Sequence, residues 1–156
     1  KLGPEWRLVW ENVFGEFQTR TLFETWREWE VAPRAADGWD GDRYALYRKG
    51  DDWIILWMTF WDTDSDAQEF FELFSELMRA KIYKESYAEE EFPEEAEIRI
   101  LPTNPSTPVD RAPVRLRFRL KDRLVLTVLS NSSEALRKVE AAEDELFKTA
   151  LEKAEE

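Results

Sequence analysis

The chain contains no cysteine and no histidine. It therefore cannot build a disulfide, a thiolate or imidazole zinc site, a Cys nucleophile or a Ser-His-Asp triad. Most hydrolytic designs are excluded, which leaves carboxylate chemistry or a hard-cation oxygen site, for which 34 Asp and Glu residues offer many candidates. No apolar run approaches the roughly 20 residues of a membrane-spanning helix, and the N-terminal stretch mixes Trp with Arg and Glu, unlike a signal peptide. Positive charge is in deficit, 22 Lys and Arg leaving a net charge of -12, which repels nucleic-acid phosphates and anionic lipid heads. No cofactor, no nucleic-acid partner and no direct membrane insertion by this segment are expected.

What is present is apolar and aromatic. With 43% hydrophobic residues, 8 Trp and 10 Phe in 156 residues, one well-filled core and a single domain over 1–156 are expected. Few Asn and Gln and 36% charged residues resemble the bias of thermophile proteins. Starting without Met, the chain reads as a mature or trimmed fragment of a longer protein.

From Glu5 to Glu30, Trp6, Val9, Trp10, Val13, Phe14 and Phe17, then Leu22, Phe23, Trp26 and Trp29 recur at helical spacing, which predicts a long N-terminal amphipathic helix kinked at the five-residue step from Phe17 to Leu22, with Gly15 nearby as a weak point, and ended by Pro33. Arg43–Arg48 and Trp53–Trp61 form a predicted hairpin around Lys49-Gly50-Asp51-Asp52; the second run is apolar on both faces, as a central strand should be. A helix follows from about Asp66 to Ile82. This first half, 5–82, leads into an acidic connector, 83–96. The second half, 97–156, holds a short strand at Glu97–Leu101, a proline-rich loop at 102–113, strands at 114–121 and 124–129, and a final helix with Leu136, Val139, Ala142, Leu146 and Leu151. Thr59–Ala67 overlies Thr127–Ala135, so both halves read ββα. The expected class is α+β: an antiparallel sheet of about four or five strands from two hairpin-plus-helix units, with the long N-terminal helix packed on it.

Four local patterns bear on chemistry. Gly38-Trp39-Asp40-Gly41-Asp42 concentrates two of the 5 glycines in one tight turn, where Gly41→Val is expected to strain the backbone and Trp39→Ala to open a cavity if the ring is buried. Asp62, Asp64 and Asp66 alternate like the first half of a calcium loop, but Ala67 and Leu73 stand where Gly and Glu are required, so helix capping is the stronger reading. Arg115, Arg117, Arg119 and Lys121 oppose Val114, Leu116, Phe118 and Leu120 across a strand, in a stretch, 110–123, with six basic and two acidic residues. This stripe is either a docking face for an acidic partner or, by default, paired with the domain's own glutamates, including Glu97 on a neighbouring strand, in exposed pairs contributing about 0 to 1 kcal/mol each. Trp39, Trp53, Trp57 and Trp61 could floor a sugar or peptide groove, although period-2 Trp in an apolar strand is more often core. Asn131-Ser132-Ser133 matches the glycosylation acceptor pattern.

The segments Glu11–Leu22, Gly38-Trp39-Asp40-Gly41-Asp42-Arg43-Tyr44, Leu56–Thr63 with Trp61-Asp62, and Asp66-Ala67-Gln68-Glu69-Phe70 resemble a block found in largely uncharacterised secreted or surface-anchored archaeal and bacterial proteins. In that family the block is C-terminal to a region with a metallopeptidase-like His-Glu-x-x-His helix. The resemblance covers residues 5 to about 80. It implies a non-catalytic extracytoplasmic accessory or interaction domain, partnered by an upstream domain of the same protein or another surface protein. No catalytic residue carries over, since this chain has no His. The alternative is an autonomous ligand- or polysaccharide-binding module using the aromatic groove.

Overall fold

The computed structural model describes residues 2–24, 31–82, 95–98 and 114–154. The expected acidic connector up to Glu94, the proline-rich loop and the helical positions Trp26 and Trp29 lie outside the described residues. A six-stranded sheet runs in the order β1-β2-β3-β6-β5-β4. The strands are β1 (Arg7–Asn12), β2 (Trp39–Lys49), β3 (Asp52–Trp61), β4 (Glu95–Ile98), β5 (Val114–Lys121) and β6 (Leu124–Ser130). Every neighbouring pair is antiparallel. The helices are α1 (Glu16–Glu24), α2 (Val31–Arg34), α3 (Asp64–Ile82), α4 (Ser133–Glu140) and α5 (Glu143–Ala154).

The mixed α+β class and the antiparallel sheet are as the sequence predicts, with six strands rather than four or five. The long N-terminal helix is not formed. Instead Arg7–Asn12 pairs with β2, and helix begins only at Glu16. Two features explain the error. Val9 is an extra residue in β1, because the register slips between Leu8 and Trp10; this bulge breaks the period-2 signal and leaves apolar residues at helix-like spacing. Gly15 has φ +90, outside the right-handed helical region, so no continuous helix can pass through it.

Helices cover both faces of the sheet, and each face has its own core. On one face Trp57 and Trp61 from β3 meet Phe23 of α1, Phe70, Phe74 and Leu77 of α3, and Leu116 and Phe118 of β5. Trp61 stacks on Phe70 with centroids 4.6 Å apart, and Phe74 meets Trp57 edge-on at 5.5 Å. The opposite face joins Ile54, Leu124, Leu126 and Val128 to Trp6 and to Ala135, Leu136, Val139 and Phe147 of α4 and α5. Burying each such large side chain contributes about 1.5 to 3 kcal/mol before chain entropy is counted. Both halves are ββα as predicted, but α3 and α4 lie on opposite faces, so the two units are not superposable copies. The predicted single final helix breaks at Ala141-Ala142 into α4 and α5, the turn being held by Ala142 N–H donating to Val139 O at 2.9 Å.

Candidate functional site

The Gly-Trp-Asp-Gly-Asp segment is not one tight turn as expected: Gly38 closes the turn after α2, Trp39–Asp42 already belong to β2, and the glycine that matters is not the one expected. Gly38 has φ +71, and a Cβ there would lie 2.5 Å from the Asp66 carboxylate. Gly41 has no positive φ and open space around its Cβ position. Gly38→Ala should therefore cost about 1 to 3 kcal/mol through strain and displacement of Asp66, while Gly41→Val should stay within about 0.5 kcal/mol of wild type; chemical denaturation of both variants checks the contrast. Trp39 is only half-buried, so Trp39→Ala leaves a smaller void than a buried ring would, and Asp40 is exposed at a slip in the β2 register. Asp42 has the densest bonding. Its Oδ2 accepts from Phe14 N–H at 2.8 Å and from Trp57 Nε1 at 2.9 Å, and its Oδ1 from Gly15 N–H at 2.7 Å. One carboxylate thus ties the entry of α1 to β2 and to the core tryptophan of β3.

Asp66 and Thr63 form a capping box at the start of α3. Thr63 N–H and Oγ1 donate to Asp66 Oδ2 at 3.1 and 2.7 Å, and Asp66 N–H donates to Thr63 Oγ1 at 3.2 Å. These bonds support the capping reading for Asp66, while Asp64 lies in the first turn of α3; no cluster of metal-binding residues occurs among the described residues. Trp61, fully buried, donates its indole N–H to Thr59 Oγ1 at 2.9 Å. Asn131 accepts from Trp53 N–H at 2.7 Å and donates to Asp51 O at 3.1 Å, so its amide bridges the β2–β3 turn.

The basic stripe faces α4 and α5 of this same chain. Arg117 Nε donates to Glu143 Oε1 at 2.8 Å, with side chains only 11% and 8% exposed. Arg119 reaches Glu143 Oε2 at 3.3 Å, Lys121 reaches Asp144 at 3.4 Å, and Arg115 donates to Ser133 Oγ at 2.6 Å. The self-pairing alternative describes this geometry, and β4 places Glu97 opposite Arg115 in register. The expectation of exposed pairs holds for Lys121–Asp144, whose side chains are 45% and 98% exposed, and is corrected for Arg117–Glu143, which is buried.

The candidate aromatic groove does not assemble. Trp57 and Trp61 belong to the core. Trp39 pairs with Trp61 at one end of the β2–β3 hairpin and Trp53 with Arg48 at the other, which separates the two half-buried rings by about 25 Å at 3.3 Å per residue.

Two features escaped the sequence reading. The first is a strip of exposed apolar side chains, Leu8, Val9 and Trp10 of β1, Val13, and Phe17 of α1, between 42% and 76% exposed. It was hidden because these residues fit a helical stripe. The second is an apolar cavity of about 710 Å³ between the N-terminal segment, the α4–α5 turn and the sheet, lined by Trp6, Tyr47, Leu56, Val139, Ala142 and Leu146 among others. Its walls come from three distant parts of the chain, so no local pattern in the sequence announces it.

A ring of four charges latches the N-terminal segment beside this cavity. Lys138 Nζ meets Leu2 O at 2.9 Å, Glu5 Oε1 at 3.0 Å and Glu134 Oε1 at 2.8 Å, while Lys49 reaches Glu134 at 3.2 Å and Glu5 at 3.6 Å. A backbone hydrogen bond and then the Lys138 ammonium hold the Glu5 carboxyl below its ordinary 4.5. Hydrogen bonds from Lys138 and Lys49 lower Glu134, and those with Glu134 and Glu5 raise Lys138 above its ordinary 10.5. The depressed carboxylates favour the folded state above pH 4.5, an effect lost as pH falls through their lowered values; the raised lysine favours it below pH 10.5, an effect lost as pH rises through its own raised value. Lys138→Met should therefore lower Tm most between about pH 5 and 10, with the gap from wild type closing under acid. Calorimetry across pH measures it, and a gap independent of pH would mean that the loss is one of packing alone.

No curated protein and no solved structure shows significant similarity to the chain. The family described as a domain of unknown function, DUF8575, matches residues 7–140, a span that contains the sheet from β1 to β6, the Asp42 clasp and α4 but neither the latched N-terminal segment nor α5. On that match the chain belongs to the DUF8575 family.

Proposed function

We propose that this domain is a non-catalytic accessory module of an extracytoplasmic protein, and that it holds a protein partner against the exposed strip of β1 and α1. The observation that carries the reading is that Leu8, Val9, Trp10, Val13 and Phe17 are the exposed large hydrophobic residues among the described residues and are close together in the chain. Such clustering marks interaction surfaces, whereas scattered exposed apolar residues are ordinary. Charge defines the partner's chemistry. With Arg117, Arg119 and Lys121 engaged by Glu143 and Asp144, a net charge of +1 in all, the rest of the chain carries -13, which favours a partner with Lys and Arg around an apolar centre. The Val9 bulge and the charges of Arg7 and Glu11 blunt β1 against continuing the sheet, so the partner packs on side chains. An upstream domain of the same polypeptide or a neighbouring surface protein has the required proximity. Cross-linking on the intact source cells, followed by mass spectrometry, tests this with wild type and a Trp10→Glu/Phe17→Glu variant. Cross-links from the β1–α1 strip to one basic surface, lost in the variant and weakened by salt, are expected. A partner retained equally by the variant would overturn the assignment.

A further inference from the structure

The cavity between the N-terminal segment and the α4–α5 turn is separate from the strip and lies on the other core. Its volume of about 710 Å³ falls in the range of small-molecule sites, roughly 300 to 1,000 Å³, and its walls are chiefly Trp6, Tyr47, Leu56, Val139, Ala142 and Leu146. The charges around it are not balanced in what they can still bind. Lys138 lines the cavity, but its three ammonium protons already face Leu2 O, Glu5 and Glu134, so it has no donor left for an anionic headgroup. Glu145 also lines the cavity, is exposed, and has no ion partner among the described residues. The Tyr47 hydroxyl, likewise without a hydrogen-bond partner among the described residues, adds one neutral polar contact.

We infer that this cavity is a binding site for a small lipophilic cation, an apolar body seated between Trp6 and Leu146 with one ammonium group against Glu145. The negative net charge of the chain raises the local concentration of such a ligand and lowers that of its anionic counterparts. Displacing water from the apolar walls supplies the affinity, and the Glu145 carboxylate supplies the choice of charge. Carboxylates and phosphates are disfavoured because, among the described residues that line the cavity, the one unengaged charge is negative.

Three probes sharing one apolar body separate these contributions: 1-naphthylmethylamine, 1-methylnaphthalene and 1-naphthaleneacetate. In an NMR titration of the ¹⁵N-labelled chain at neutral pH and low salt, the amine should bind about threefold to fivefold more tightly than the neutral probe, the increment of one partly exposed ion pair, and the acetate more weakly than either. Shifts should concentrate at the Trp6 indole N–H and the amides of Ala142, Leu146 and Thr149. Glu145→Gln, a change at an exposed helix position, should bring the amine to within about twofold of the neutral probe without altering Tm by more than a degree or two. Leu146→Trp should fill the cavity and abolish binding of all three; if that variant fails to fold, Ala142→Leu provides the same block. Binding of none of the probes, equal binding of all three, preference for the acetate, or shifts confined to other residues would overturn the inference.

Discussion

Arg117→Glu is expected to lower stability by about 3 to 5 kcal/mol, a fall in Tm of about 10 °C for a domain of this size. The sequence expectation was the opposite, a change of little consequence at an exposed pair. The reversal follows from burial. Arg117 donates to both oxygens of Glu143, Nε to Oε1 at 2.8 Å and Nη2 to Oε2 at 3.3 Å, with only 11% and 8% of the two side chains exposed. Glu140 sits 3.5 Å away on the same guanidinium. A carboxylate at position 117 would face the buried Glu143 with little water to screen the two, and the solvated Glu140 beyond it, so the outer layer of α4 and α5 would separate from the sheet. High salt should not restore the variant, because buried pairs are poorly screened. Arg117→Met combined with Glu143→Leu should recover part of the loss, since apolar replacement of both removes the buried charges and their desolvation together, while Arg119 gives up its contact with Glu143. Thermal unfolding at low and high salt distinguishes the cases. An Arg117→Glu protein melting within a degree of wild type would show that the pair is solvated in solution.

Asp42→Ala should cost about 3 to 4 kcal/mol, because it leaves three donors without their acceptor at once. Phe14 N–H, Gly15 N–H and Trp57 Nε1 all converge on this carboxylate. A carboxylate on β2, 28 and 27 residues downstream of the Phe14 and Gly15 amides, satisfies backbone groups that a local cap would ordinarily serve, so the entry of α1 depends on the sheet being formed. Asp42→Asn keeps one oxygen and should lose only part of this. The structural readout is specific: the Trp57 indole N–H resonance should shift in both variants, and amide exchange at Phe14 and Gly15 should accelerate in Asp42→Ala well before global unfolding. Unchanged exchange at those amides would mean that water replaces the carboxylate at little cost. Loss of α1 would also disturb Phe17, so this variant should weaken any contact made by the exposed strip.

The parts of the molecule that were legible in sequence share one property: their signal is carried by neighbours along the chain. Trp53–Trp61 is apolar on consecutive residues and lies in the middle of the sheet with helices on both faces. Val114 to Lys121 alternates, and the structure sends its apolar and basic residues to opposite faces in that order. The start of α3 was legible to within two residues, although the reciprocal cap is Thr63 with Asp66 rather than the Ser65-to-Gln68 box that the sequence suggests. The same locality explains the failure at the N-terminus. Between Trp6 and Phe17 a bulged strand, a short turn and a helix start succeed one another, and their side chains mimic a single helical stripe.

From sequence alone came the class of the fold, the identity of its central strands, the two-sided character of β5 and the absence of any imidazole or thiolate chemistry. Tertiary structure alone decided that β1 adds to the sheet edge, that α3 and α4 take opposite faces, that Arg117 is buried against Glu143, and that Trp6, Tyr47 and Leu146 surround one cavity. The physical reason is that periodicity records what each residue prefers relative to its own backbone, whereas pairing partners, faces and cavities are properties of segments far apart in the chain. Such contacts depend on the joint packing of two cores across one sheet, and no single stretch of this chain contains that information.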